Sequence, residues 1–130
     1  MQLYLVRHAD AAPGEPDELR SLTAEGRDQA RALGERLRDE GVKPDAVLTS
    51  PLLRARETGN LLCEALDATS ETDDRLGPGA TADGLRRAVA NRGEQVVAIG
   101  HQPDCGRIAA QLSGGEEPAF PAAGMVRIEL

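Results

Sequence analysis

Residues 95–101 read Gln-Val-Val-Ala-Ile-Gly-His, a short apolar run that ends in a histidine. Residues 2–8 repeat this pattern as Gln-Leu-Tyr-Leu-Val-Arg-His. Continuous apolar runs of this length are typical of strands that are buried on both faces of a parallel sheet. We therefore predict two buried strands, each followed directly by one of the 2 histidines of the chain.

Weaker patterns predict the remaining elements. Residues 45–49 and 125–130 are predicted as strands, and the irregular residues 68–80 have room for one short edge strand. Helices are predicted between the strands, in segments 23–40, 50–66, 81–91 and 104–112. An alternation of strands and helices is typical of an α/β fold. We therefore predict one three-layer domain over residues 1–130, with a mostly parallel sheet and helices on both faces.

The predicted helix starts follow from capping residues. Thr23 and Thr81 are suitable N-caps, and Ser50 followed by Pro51 is a strong signal for a helix start. Asp104 is expected to cap the last helix. The helix after Ser50 is expected to bury an apolar face formed by Leu52, Leu53, Leu61, Leu62 and Leu66.

Composition and charge narrow the classes of function. The chain has 130 residues, a formal net charge of −7 and a sequence pI near 4.8, which argues against a nucleic-acid binder with a basic face. We find no apolar run long enough to cross a bilayer and no secretory signal. The 2 cysteines do not make a disulfide framework at this length. We therefore expect a cytoplasmic protein without a membrane or nucleic-acid partner.

Basic side chains follow three of the predicted strands, and we refer to them as the basic cluster: Arg7, His8, Arg54 and His101. The carboxyl ends of parallel strands meet at one edge of the sheet, which is where α/β proteins bind ligands. Two guanidinium groups and two imidazoles beside a helix N-terminus suit a tetrahedral oxyanion. An imidazole that positive neighbours keep neutral can attack phosphorus. The cluster therefore predicts a phosphoryl-transfer site.

Four segments resemble, in the right order, the motifs of the histidine phosphatase (phosphoglycerate mutase-like) superfamily. Residues 5–10 resemble its R-H-G strand end, and residues 22–30 resemble L-T-x-x-G-x-x-Q-A. Residues 50–58 are similar to S-P-x-x-R-A-x-x-T, and residues 100–103 to the turn of the second histidine. Residues 17–23 resemble the acidic loop and R-x-L-T of the short SixA-type branch.

The resemblance implies a phosphatase without metal or cofactor, in which His8 is phosphorylated and then hydrolysed. The other members of the basic cluster would bind the phosphoryl group, with Arg20 as a further contact to the substrate. Asp17 would act as the general acid that protonates the leaving group and would then activate water. The implied substrate is phosphohistidine on a signalling or phosphotransfer protein, because the chain has no insertion that would cap the site.

Some positions depart from the family pattern. Ala9 stands where the family has glycine, which costs little unless φ is positive there. Residues 72–80 lack the glutamate of the mutase acid segment, which argues against mutase activity. Glu15 and Glu18 flank Asp17 and could replace it, and the sequence does not decide which of the three faces the site.

Two other functions stay open at this stage. One is a phosphatase of a small phosphorylated metabolite on the same fold, and the other is a non-catalytic phosphate-binding or docking domain. Residues 77–82 fit G-x-G-x-x-A, but they follow no convincing strand, so dinucleotide binding is not expected. His101 and Cys105 could ligate zinc, but no second pair of ligands accompanies them.

Overall fold

The computed structural model describes residues 1–130, in which five strands form one sheet and four α-helices connect them. The strands are β1 (Gln2–Arg7), β2 (Ala46–Thr49), β3 (Ser70–Thr72), β4 (Gln95–Gly100) and β5 (Met125–Glu129). The helices are α1 (Ala24–Asp39), α2 (Leu53–Leu66), α3 (Ala82–Val89) and α4 (Asp104–Ser113). Two single-turn 3₁₀ helices, Asp17–Leu19 and Asp74–Leu76, lie in the connections.

The strands are ordered β3-β2-β4-β1-β5 across the sheet. β1 is parallel to β4, with Arg7 opposite Gly100. β4 is in turn parallel to β2, with Ile99 opposite Thr49. Only β5 runs antiparallel, along the other side of β1. The carboxyl ends of β1, β4 and β2 therefore meet at one edge, as the strand and helix pattern predicts.

The helices cover both faces of the sheet, which confirms the three-layer prediction. Alternate side chains of one strand enter different cores because successive strand residues point to opposite faces. Leu5 packs in the core that contains α3 and α4, whereas Val6 packs in the core that contains α1 and α2. None of the helices combines the length and the apolar character that a membrane crossing requires.

Two of the four predicted caps are confirmed. Thr23 Oγ1 accepts a hydrogen bond from the Gly26 amide at 2.9 Å, and Thr81 Oγ1 accepts one from the Gly84 amide at 3.0 Å. These bonds satisfy amides that have no partner within the helix. The helices they begin, α1 and α3, start where the sequence predicts.

Ser50 and Asp104 are not N-caps. α2 begins at Leu53 with Leu52 as its cap, because the Ser50 hydroxyl contacts the His101 ring and the Leu52 amide instead of the first helical turn. Asp104 is the first residue of α4, and its carboxylate accepts from the Gly79 amide in a neighbouring loop. Both side chains therefore bind groups that lie near the carboxyl edge of the sheet.

The predicted leucine face of α2 is confirmed only in part, because Leu61 and Leu66 pack half-buried against the cores and Leu52 lies before the helix. The helix buries mostly small residues, among them Ala55, Thr58 and Gly59, and of the five leucines only Leu62 is buried. A Cβ at Gly59 would lie 2.5 Å from Thr49 Cγ2, so only glycine permits this approach to the sheet. The close packing brings Arg54 to the edge where the strands end.

Candidate active site

A pocket of about 400 Å³ opens at the carboxyl edge of β1 and β4. Its lining includes all six residues that the sequence analysis proposes for the site, which are Arg7, His8, Asp17, Arg20, Arg54 and His101. The parallel pairing of β1 with β4 brings the two histidines together, with their ring centroids 5.2 Å apart. The convergence of Arg7, His8 and His101 is therefore a consequence of the sheet register.

The His8 ring is held in one tautomer. Its Nδ1 lies 2.7 Å from the carbonyl oxygen of Ala9, and a carbonyl can only accept, so Nδ1 carries the hydrogen. Nε2 is then the nitrogen with the lone pair. Burial lowers the pKa of His8 below the ordinary histidine value, and the charges of Arg54 and Arg7 lower it further. At neutral pH the ring is a neutral imidazole, which is the form that a nucleophile needs.

Ala9 fits the position where the family has glycine. Its φ is not positive, so alanine adds no backbone strain here. The Ala9 amide donates to Thr58 Oγ1 at 3.0 Å, and that hydroxyl donates to the Arg54 carbonyl at 2.8 Å. Thr58 therefore ties the loop after His8 to the first turn of α2.

His101 is more deeply buried than His8, with 5% of its surface exposed. Burial, followed by the proximity of His8 and Arg54, lowers the pKa of His101 to about 4. Its Nε2 lies 2.7 Å from Ser50 Oγ. The Ser50 hydroxyl can donate its proton to Nε2 while it accepts from the Leu52 amide, and Nδ1 then carries the ring hydrogen. The free site thus presents His101 as a neutral imidazole, not as a cation, and in this tautomer its Nδ1 is a donor.

Two buried side-chain nitrogens have no hydrogen-bond partner in the protein, Arg7 Nε and His101 Nδ1. Buried polar atoms are nearly always paired, because an unpaired one costs about 1–3 kcal/mol. Both nitrogens belong to side chains that line the pocket. An anion with several acceptor oxygens would satisfy both of them at once.

Asp17 joins the two remaining arginines of the pocket. Arg54, which is 7% exposed, donates to the Asp17 carbonyl at 2.9 Å and to its carboxylate at 3.2 Å. Arg20 donates to the same carboxylate at 3.1 Å. The hydrogen bond from Arg20, followed by the charge of Arg54, lowers the pKa of Asp17. The carboxylate is therefore ionised at neutral pH, and a general acid would need the opposite shift.

The structure also distinguishes Asp17 from its acidic neighbours. Asp17 lines the pocket and forms ion pairs with Arg20 and Arg54. Glu15 and Glu18 do neither. Of the three candidate acids, only Asp17 lines the pocket.

Sequence reasoning missed part of the pocket wall. Pro78, Gly79 and Asp104 line the side formed by the segment after β3 and the start of α4. The sequence pattern predicts helix caps at Asp104 and Ser50, and it indicates no role in the site for the turn at residues 77–80. A Pro-Gly pair is a turn signal in its own right, which could have marked this segment as a fixed loop.

Neither the G-x-G-x-x-A motif nor the His101–Cys105 pair forms the kind of site that its pattern suggests. Residues 77–82 make a turn and the start of α3 rather than a strand followed by a helix. Cys105 is buried against the core, with Sγ 3.7 Å from the Val6 carbonyl oxygen, and burial raises the pKa of its thiol to about 12. His, Cys, Asp and Glu side chains nowhere form a group of three that could hold a metal ion.

Comparison with known proteins agrees with this geometry. The family model of the histidine phosphatase superfamily (branch 1) matches residues 3–119. The chain belongs to this superfamily. It is 32% identical over 125 residues to the phosphohistidine phosphatase SixA of Escherichia coli (strain K12), covering 91% of this chain and 78% of the relative. It is also 36% identical over 124 residues to an uncharacterised protein of Picosynechococcus sp., covering 89% of this chain and 75% of that protein.

A solved histidine phosphatase has the same fold. The structure of the protein histidine phosphatase SixA complexed with tungstate superimposes with a TM-score of 0.91 and 29% sequence identity, covering 100% of this chain and 88% of that chain. The match confirms the mostly parallel α/β architecture of the phosphoglycerate mutase-like type for this histidine phosphatase.

Proposed function

We propose that this protein removes phosphate from phosphohistidine on another protein, through a phosphohistidine intermediate at His8. One observation carries the proposal: the neutral imidazole of His8 lines a single pocket with Arg7 and His101, two side chains that each have an unpaired buried nitrogen. Two similarities support it. The E. coli relative is named a phosphohistidine phosphatase, and the SixA structure is a complex with tungstate, a tetrahedral oxyanion like phosphate.

In the first step, His8 Nε2 attacks phosphorus in line with the bond to the leaving imidazole. A new P–N bond forms to His8, the old P–N bond breaks, and the departing nitrogen takes up a proton from solvent. Arg7, Arg54 and His101 bind the equatorial oxygens, over which charge spreads in the transition state. The imidazole of phosphohistidine leaves easily once protonated, so this step tolerates the lack of a protein acid.

In the second step, water attacks the phosphorus of phosphorylated His8. The P–N bond to His8 breaks, its electron pair returns to Nε2, and inorganic phosphate is released. We assign Asp17 to this step as the base that takes the proton from water, because its ionised carboxylate can accept a proton but cannot donate one. Arg54 would exchange its bond with the Asp17 carboxylate for a bond with a phosphoryl oxygen.

A protein substrate fits the surroundings of the pocket better than a small metabolite does. No segment of the chain forms a cap over the opening, so a histidine on the surface of another protein can enter. Leu19 lies two residues from Asp17 and is 58% exposed, the one large apolar side chain of this protein that is exposed. We propose that Leu19 lies at the rim of the opening, where a substrate large enough to extend beyond the pocket would contact it. We expect such a partner, and therefore the enzyme, in the cytoplasm.

A parallel substrate assay tests the proposal. Phosphate release is measured from a phosphohistidine-bearing phosphotransfer protein and from a panel of phosphomonoesters, each with and without EDTA. We expect the phosphohistidine protein to have the highest kcat/KM, with no effect of EDTA because the side chains supply the needed charge. A preference for a phosphomonoester would favour the metabolite phosphatase. Binding of inorganic phosphate without turnover of any substrate would favour a docking domain.

A further inference from the structure

The turn formed by Gly77, Pro78, Gly79 and Ala80 is one wall of the pocket. The Ala80 amide donates to the Gly77 carbonyl at 3.1 Å, and Gly79 has a φ of +91°. Proline at the second position and a positive φ at the third define a type II β-turn. Pro78 and Gly79 contribute the lining, and we refer to residues 77–80 as the Pro-Gly turn.

The Pro-Gly turn has no amide left for an anion. The Gly77 amide donates to the Asp74 carbonyl at 3.1 Å, and the Gly79 amide donates to the Asp104 carboxylate at 2.7 Å. The Ala80 amide is shared between Gly77 and Asp104, and proline has none. A phosphoryl group needs donors, so this wall does not bind it. Its lining residues, Pro78 and Gly79, offer a substrate an apolar surface, which suits an uncharged ring.

The Pro-Gly turn is clamped to the helix that follows His101. Asp104, the first residue of α4, is 6% exposed and accepts from both the Gly79 and Ala80 amides. Arg107 donates to the other Asp104 oxygen at 2.5 Å and to the Ala80 carbonyl at 3.3 Å. Since Asp104 lies three residues after His101, the clamp fixes the distance between this wall and the phosphoryl-binding side chains.

We infer that the Pro-Gly turn is the leaving-group wall of the pocket, with Asp104 and Arg107 as its positioning residues. The inference rests on the proposed phosphohistidine chemistry. The leaving imidazole is present only in the first step, because water replaces it in the second. Disturbing the wall should therefore slow the transfer of phosphate to His8 and leave the hydrolysis of phosphorylated His8 unchanged. A residue that merely stabilises the fold would not separate the two steps.

Gly79→Ala tests this without changing any charge. An alanine side chain at Gly79 would meet nothing within 4 Å, so its effect is to strain the backbone of the turn at a φ of +91°. Gly41→Ala is the matched control, since Gly41 has a φ of +81°, equally open space and a position at the end of α1 far from the pocket. Phosphoimidazole serves as the phosphoryl donor, and rapid quench separates labelling of His8 from its hydrolysis.

For Gly79→Ala we expect labelling of His8 to slow by about tenfold, with hydrolysis within about twofold of wild type. For Gly41→Ala we expect both rates to be unchanged. Equal loss in both steps, or the same loss in both variants, would overturn the leaving-group wall. If Gly79→Ala does not fold, Pro78→Ala decides by the same comparison, because it keeps every hydrogen bond of the turn. A wild-type enzyme that is never labelled at His8 would instead overturn the proposed function itself.

Discussion

The two sides of the pocket are held in different ways. The basic cluster is positioned by the backbone: parallel pairing aligns Arg7 with Gly100, and His101 follows at the next residue. The acidic loop, residues 15–20, is positioned by side chains, since Arg20 and Arg54 both bind Asp17. The Asp17 carboxylate is 59% exposed, whereas Arg54 is almost fully buried. A rigid side therefore faces an adjustable one, which suits a site that must hold one phosphoryl group while substrate and water are exchanged.

Loss of Arg54, a residue of the rigid side, should reduce activity more than any other substitution that tests this comparison of the two sides. Arg54→Met removes a buried guanidinium that would bind the transferring group, and we expect kcat/KM to fall by about 10³-fold. Arg56→Met is the matched control on the same helix, because Arg56 donates to the Pro51 carbonyl and does not line the pocket. Phosphate release from the phosphohistidine protein measures both. Similar losses in the two variants would contradict the role of Arg54.

Asp17→Asn should affect only the second step. Asparagine keeps the size of the side chain but cannot take a proton from water, so hydrolysis of phosphorylated His8 should slow by about 10²-fold. Formation of the phosphorylated enzyme should be as fast as in wild type or faster, because Arg54 is no longer engaged by a carboxylate. Rapid-quench kinetics separate the rates. Slow formation with normal hydrolysis would show instead that Asp17 is the acid of the first step.

The pKa values of His8 and His101 should both lie below that of an exposed histidine, because both rings are on the buried side of the pocket. Burial, with Arg54 and Arg7 nearby, lowers the pKa of His8, and the pKa of His101 is about 4. Each ring should therefore be less than half protonated at pH 6.5, where an ordinary histidine is half protonated. Proton NMR of the free protein measures this directly, since the chain has 2 histidines and His8→Ala assigns each signal. Titration of either ring above 6.5 would contradict the desolvated site.

Leu19→Ser should have the smallest effect and should depend on the substrate. Removing the apolar side chain at the rim is expected to lower kcat/KM for the phosphohistidine protein by about fivefold, through loss of contact area. Turnover of phosphoimidazole, which is too small to reach the rim, should not change. A lower fraction of folded protein would reduce the apparent kcat/KM for both substrates by the same factor, so the ratio of the two values within one variant is independent of it. An equal effect on both would argue against a protein partner at this position.

The basic cluster was predictable because its position follows from the local sequence pattern of each strand and from the general geometry of parallel sheets. Apolar runs mark the buried strands, parallel strands end at one edge, and so Arg7, His8 and His101 meet. The partners of the neighbouring polar side chains were not predictable in the same way. Ser50 and Asp104 have the chemistry of N-caps, yet each binds a group that is distant in sequence, His101 and the Gly79 amide. Short polar side chains satisfy whichever partner the tertiary fold brings near, and the local sequence does not specify it.

The buried face of α2 also depends on tertiary packing that the local sequence does not specify. Leucine spacing favours a leucine-lined face, but the helix approaches the sheet so closely at Gly59 that small residues fill the contact. The preference of single residues for burial does not reveal how near two elements come. The ionised state of Asp17 was hidden for a related reason, since it depends on Arg20 and on Arg54, which lies 37 positions away.

The most direct test is single-turnover incubation of the enzyme with a ³²P-phosphohistidine protein. Samples are quenched in alkali, where phosphohistidine survives, and the label on this chain is mapped over time. The account predicts label on His8 that rises first and then decays as inorganic phosphate appears, with neither signal in His8→Ala. Release of phosphate with no labelled enzyme at any time, or normal turnover by His8→Ala, would contradict nucleophilic catalysis by His8.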